Sequence, residues 1–146
     1  DWRYEQQYGE SFSKHLLRTS ASDLIVADFG EAVLVVPYFM ARPYNMVLIV
    51  RNASKRYLYE LSIEEIGAVA KGWHLAIRSM YVLLPTLGRE IAYNVVAHNG
   101  PGVGIYFEFL PFTQEMGGFE HLGLSICHAN PRDAASRIRE IIASFE

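Results

Sequence analysis

Apolar residues recur along this chain in two different periods. From 103 to 110 they alternate: Val103, Ile105, Phe107 and Phe109 fall on one side of an extended strand, and Gly104, Tyr106, Glu108 and Leu110 on the other. A second apolar run, from Tyr93 to His98, precedes it across Asn99-Gly100-Pro101-Gly102. Together they predict a β-hairpin with a tight turn. Upstream, runs at 23–28 and 32–38 flank Phe29-Gly30-Glu31 and predict another hairpin, and 45–51 predicts a third strand. Arg42-Pro43 before that strand belongs in a turn, because proline has no donor for a ladder. Run 122–128 predicts a final strand.

Between these runs the period becomes that of a helix. Ser62-Ile63-Glu64-Glu65 has the form of a capping box. Ile66, Val69, Ala70, Trp73, Ile77 and Met80 then make one apolar face, predicting a helix over 62–82 that Pro85 stops. Asn130-Pro131 supplies a cap and a first-turn proline for a helix over 131–145, with Ala134, Ala135, Ile138, Ile142 and Phe145 inward. Residues 1–20 carry Tyr4, Tyr8, Phe12, Leu16 and Leu17 at helix-like spacing and predict a weakly ordered lead-in with one short helix. The order of elements predicts an α+β domain: an antiparallel sheet of five or six strands with two main helices packed on one face. No internal repeat or low-complexity linker interrupts it.

Composition narrows the function classes. A chain of 146 residues, 51% hydrophobic and 20% charged, is one folded domain with a real core. A net charge of -3 offers nothing to nucleic acid or to an anionic membrane. No apolar stretch is long enough to span a bilayer, and no signal peptide is expected. The single cysteine, Cys127, excludes an internal disulfide and fits a reducing, cytoplasmic setting, where a buried, inert thiol is expected. The sequence opens at Asp1 rather than Met, as a processed or excised piece would.

The chemistry concentrates on the 93–111 hairpin. Its polar face sets the Glu108 carboxylate between aromatics and opposite His98, where it must be solvated, paired or used. Asn94, His98, Asn99, Tyr106 and Glu108 are the candidate ligand-binding residues of a cleft over the sheet. Loop 100–104 offers backbone amides to an anion, though glycines for a hairpin explain it more simply, and no phosphate-loop or dinucleotide fingerprint surrounds it. His98 and Glu108 are the weak metal candidates, with His121 and His128 as outsiders. A closed zinc or iron site needs about four ligands, so no metal cofactor is expected. None of the five histidines (His15, His74, His98, His121, His128) has another two residues away, and no catalytic residue is assigned. Aromatic residues make up 13% of the chain, and Tyr38, Phe39, Tyr44, Tyr57 and Tyr59 cluster near loops, which suits core packing, a ring-stacking site or a dimer interface.

The same hairpin resembles the C-terminal half of galactose-1-phosphate uridylyltransferases, a branch of the histidine-triad superfamily. Tyr93-Asn94 and His98 match that branch's Tyr-Asn-x-x-x-His strand, and Glu108 and Pro111 match the end of its His-x-His-x-Glu-x-x-Pro strand. Gly104 and Tyr106 stand where the branch has its two histidines. Val35-Val36-Pro37-Tyr38, Pro43-Tyr44-Asn45 and Leu48-Ile49-Val50 resemble its two central strands, Tyr59 to Glu65 the start of its long helix, and Gly118-Phe119-Glu120 and Pro131 to Ala135 its closing elements. Ser11 and Ser13 stand near its Cys-x-x-Cys, and Ser54 at another of its histidines. The resemblance implies a histidine-triad-like domain, the C-terminal part of a longer nucleotidyltransferase of carbohydrate metabolism. Its half would contribute to a nucleotide-sugar pocket and to a homodimer, while an N-terminal domain supplies the nucleophile. The altered histidines also fit a degenerate binding or scaffold module, and a diadenosine-polyphosphate phosphorylase fragment is a further alternative within the superfamily.

Overall fold

The structure is a computed structural model that describes residues 2–115 and 117–145; the start at Asp1 lies outside them. Two helices lead in, α1 (Trp2–Tyr8) and α2 (Phe12–Thr19). Strands β1 (Ile25–Asp28), β2 (Ala32–Val35) and β3 (Met46–Val50) follow, then the long helix α3 (Ile63–Thr86). The hairpin β4 (Tyr93–His98) and β5 (Tyr106–Pro111), one helical turn α4 (Gly118–His121) and the last helix α5 (Pro131–Ala143) complete the chain. The strands form one antiparallel sheet in the order β1-β2-β3-β5-β4. The α+β, histidine-triad-like architecture expected from the sequence is present. Among the described residues no helix is long and apolar enough to cross a membrane.

Both faces of the sheet centre are covered, which is why β2 and β3 read as unbroken apolar runs and are buried at every position. Ala32, Leu34, Met46, Leu48, Val50, Phe107 and Phe109 face α3 and α5. Trp73 of α3 meets Phe107 and Phe109 edge-on, with ring centres 5.1 and 5.4 Å apart. Val33, Val35, Val47, Ile49 and Tyr106 face the other way, against Phe12, Leu16 and Leu17 of α2. The expectation of helices on one face therefore holds for α3 and α5 and misses α2. The lead-in is two helices rather than one, and the second is a packed layer.

Several boundaries differ from expectation for physical reasons. The capping box forms: Ser62 Oγ accepts from Glu65 N at 3.2 Å and Glu65 Oε2 accepts from Ser62 N at 2.7 Å. Helix α3 nevertheless runs past Pro85 to Thr86, since a proline near the C-terminus removes only one late bond. Its buried residues are Glu65, Ala68, Gly72, Ala76, Ser79, Met80, Leu83 and Leu84, with Ile66 52% exposed. Small residues let the helix approach the sheet; of the predicted stripe Met80 is fully buried, Val69, Trp73 and Ile77 pack half-buried against the core, and Ile66 lies outside. Run 122–128 forms no strand. Its Ile126 carbonyl accepts from Gln114 Nε2 at 2.9 Å instead of a ladder amide, and Leu122 and Leu124 stay exposed.

Candidate functional site

The polar face of the hairpin is positioned by cross-strand register. His98 lies directly opposite Tyr106, Val96 opposite Glu108 and Asn94 opposite Leu110. A directly opposed pair brings rings together, and the His98 imidazole stacks on the Tyr106 ring at 4.3 Å and 9°. The diagonal neighbour is Glu108, whose Oε2 lies 2.8 Å from His98 Nε2. A carboxylate oxygen only accepts, so Nε2 carries the proton that is donated. Each of the two side chains is 29% exposed, so the pair borders solvent. Glu108 is thus hydrogen-bonded and accessible, as a charge in this strand must be.

Tyr106 is the buried member, seated against Phe12 at 5.7 Å between ring centres. Burial first, and the nearby Glu108 charge second, push its phenol up to about 12. His98, Tyr106 and Glu108 therefore form one contiguous group. Asn94 shares their face but stands four residues from His98, about 13 Å along the strand. Asn99 is the first residue beyond the strand and is exposed. Among the described residues no three His, Cys, Asp or Glu side chains gather as metal ligands. The donor set of His98 and Glu108 is two short of a closed zinc site.

The turn above this pair is longer than the expected four residues. It spans 99–105, with Gly100, Gly102 and Gly104 all at positive φ, and it is tied to α2 rather than free. Phe12 N donates to Gly102 O at 3.0 Å and Ser13 N to Val103 O at 2.9 Å. Val103 consequently packs with the α2-facing cluster, away from Ile105, Phe107 and Phe109. At Gly104 an added Cβ would lie 1.8 Å from Ser13 Oγ, so only glycine fits. The loop carbonyls face the helix terminus, and the amides of Gly100, Val103 and Gly104 donate to Arg56 O and Gly100 O, which leaves the hairpin explanation of these glycines in place.

A second feature, at the far end of β5, escaped the sequence reading. Arg42 sits in the turn before β3, with its guanidinium carbon 4.4 Å from the centre of the Phe112 ring. The turn is strained: Tyr44 has φ 65°, the left-handed region, which costs a non-glycine residue about 1–3 kcal/mol. Buried Asn45 holds it there. Its Oδ1 accepts from Ala41 N at 3.2 Å, and its Nδ2 donates to Met46 O and Phe109 O, both at 3.2 Å. Thr113 Oγ1 adds a bond to Pro43 O at 3.0 Å. Arg42 borders a cavity of about 140 Å³ with Gln114, Glu115, Glu120 and Ser125. Arg42-Pro43 was legible only as a turn, because a left-handed tyrosine has no sequence signature.

No known family model matches the sequence, and no curated protein matches it. Solved structures do. A uridylyltransferase is similar over 99% of this chain and 49% of its own, with a TM-score of 0.84 and 15% identity. An ADP-glucose phosphorylase from Arabidopsis thaliana, solved with bound ADP-glucose, is similar over 94% of this chain and 45% of its own, at 0.71 and 21%. A zinc-bound histidine triad family protein from Mycobacterium smegmatis is similar over 92% and 93%, at 0.62 and 9%. These likenesses show the fold, that of the uridylyltransferase-like and histidine-triad structures the sequence resembles. The chain spans about half the length of the uridylyltransferase and of the phosphorylase.

Proposed function

We propose that this chain is the C-terminal, histidine-triad-fold half of a uridylyltransferase-like nucleotidyltransferase, which lines part of a nucleotide-sugar pocket and leaves the nucleophile to another domain. The observation that carries the reading is the His98–Tyr106–Glu108 group, held at a solvent border on the strand where the resembling branch keeps its histidine motif. A fold match over nearly the whole chain but half of each larger neighbour supports it.

The group's chemistry is suited to binding. With Nε2–H committed to Glu108, the His98 ring is fixed in orientation and presents its second nitrogen, Nδ1, to a ligand. Asn94, on the same face, and Asn99, at the strand end, add amide donors and acceptors at the reach of an extended ligand. Nucleophilic transfer needs a histidine beside a second histidine in this superfamily, and Gly104 and Tyr106 occupy those positions. The chain by itself accordingly binds and does not transfer. A homodimer, a cytoplasmic setting and an N-terminal nucleotidyltransferase domain as partner belong to the same proposal.

A second reading is favoured by Tyr106. A phenol buried against Phe12 and α2 is a packing residue, which is what a non-catalytic scaffold that has lost its chemistry would place there. Titration calorimetry of the chain with UDP-hexoses, ADP-glucose and adenine nucleotides decides between them. Saturable binding that His98→Ala weakens at least tenfold supports the nucleotide-sugar role, and no heat with any of these ligands leaves the scaffold.

A further inference from the structure

We propose that the cleft beside Arg42 is an oxyanion site that takes the carboxylate or phosphoryl group of a small ligand. Arg42 Nη1 is buried and has no hydrogen-bond partner among the described residues. It is the only such side-chain nitrogen or oxygen found among them. A guanidinium nitrogen withdrawn from water without an acceptor is costly. The turn carrying Arg42 is held in a left-handed conformation at Tyr44 by four hydrogen bonds of Asn45 and Thr113, and the Phe112 ring lies beneath the guanidinium carbon.

The carboxylates that line the same cleft are engaged elsewhere. Glu115 Oε1 accepts from Arg89 Nη1 at 2.6 Å. Glu120 Oε2 accepts from Gly117 N at 2.9 Å, and backbone amides, its own first, hold its carboxyl below the usual range. Gln114 Nε2 is tied to Ile126 O. Arg42 is thus the one cationic side chain lining the cleft, with its Nη1 unpaired among the described residues, and Ser125 lines the same cavity. A guanidinium donor fork matches carboxylate and phosphate oxygens and outranks a neutral hydroxyl as their partner. The cavity of about 140 Å³ holds such a group with a few attached atoms and is too small for a macromolecular segment. The site is separate from the His98 group and does not depend on the function proposed for it.

The test is binding of inorganic phosphate, glucuronate and glucose to the chain at constant ionic strength, followed by amide and arginine side-chain NMR shifts. At least one of the two acids is expected to saturate with shifts at Arg42, Phe112 and Ser125, and glucose to bind at least tenfold more weakly than glucuronate. Phosphate tighter than glucuronate points to a phosphoryl source, and the reverse order to a carboxylate. Arg42→Gln is expected to weaken the preferred acid at least tenfold with an unchanged circular-dichroism spectrum, and Arg42→Lys, which keeps the charge without the fork, by several-fold. Should Arg42→Gln not fold, the wild-type comparison of the acids with glucose carries the test. Glucose binding as tightly as the acids, neither acid saturating, or an Arg42→Gln chain with undiminished affinity would each overturn the site.

Discussion

Gly72 of α3 lies so near Leu48 of β3 that a side-chain carbon added at Gly72 would stand 2.4 Å from Leu48 Cδ1, and 3.1 Å from Phe29 Cε2. The helix meets the sheet through the absence of a methyl group. Gly72→Ala therefore forces Leu48 or the helix to shift, and overpacking of this kind costs about 1–3 kcal/mol. Gly67, five residues earlier, has nothing within 4 Å of the same position. There alanine relieves the helix penalty of glycine and is expected to stabilise by up to about 1 kcal/mol. Urea unfolding of the two variants checks the opposite signs, and equal effects would remove the close-approach argument.

The His98–Glu108 bond is a partly solvated, charge-bearing contact, so its value is modest. A double-mutant cycle of His98→Ala and Glu108→Ala is expected to return a coupling of about 0.5–1.5 kcal/mol in denaturant unfolding. A coupling near zero would mean that the pair is not formed in solution. The His98→Ala change should also release the Tyr106 ring from its stack, visible as a change in tyrosine near-ultraviolet dichroism.

Tyr106 makes stability depend on alkaline pH. Its phenol is raised to about 12 in the folded chain and titrates near 10 when unfolded. Between those values the unfolded chain has lost the proton and the folded chain retains it. Stability is complete below about pH 10 and falls as pH rises towards 12. With solvent screening the loss is about 1–2 kcal/mol. The difference in unfolding free energy between wild type and Tyr106→Phe should shrink by that amount from pH 9.5 to 11.5. A pH-independent difference would show that the phenol titrates normally.

The isolated chain is expected not to turn over UDP-glucose with galactose-1-phosphate above the buffer rate. Turnover that a His98 substitution abolishes would reinstate a catalytic centre on this half.

What the sequence disclosed was local and alternating. The Ser62 capping box and the Asn130-Pro131 helix start each specify their structure within a few residues, and each formed; the two-residue period expected from 103 holds from Ile105 onward, Val103 being drawn to the other side by the turn. The His98–Glu108 contact followed from the same alternation. What it concealed was relational. A stripe search weights large apolar residues such as Trp73 and Met80, which do reach the core, but passes over Gly72, where the facing Leu48 and Phe29 already fill the space. Run 122–128 has strand composition but pairs with neither edge strand of the sheet, β1 or β4, which composition does not reveal. The Arg42 cleft depends on Tyr44 held against its preference by an asparagine that also bonds across to Phe109, and such a constraint exists only once distant segments meet.

The seat of α2 sets an order of events for the newborn chain. The two amides at the start of this helix have their acceptors in Gly102 and Val103, about ninety residues later, and β3 finds its second neighbour only in β5. The first layer of the domain cannot close until most of the polypeptide has left the ribosome. Until then Val47, Ile49 and the edge of β3 stand bare. This high separation between contacting segments predicts slow refolding for a domain of this size, and makes any premature stop before Pro111 a substrate for chaperones rather than a smaller stable domain.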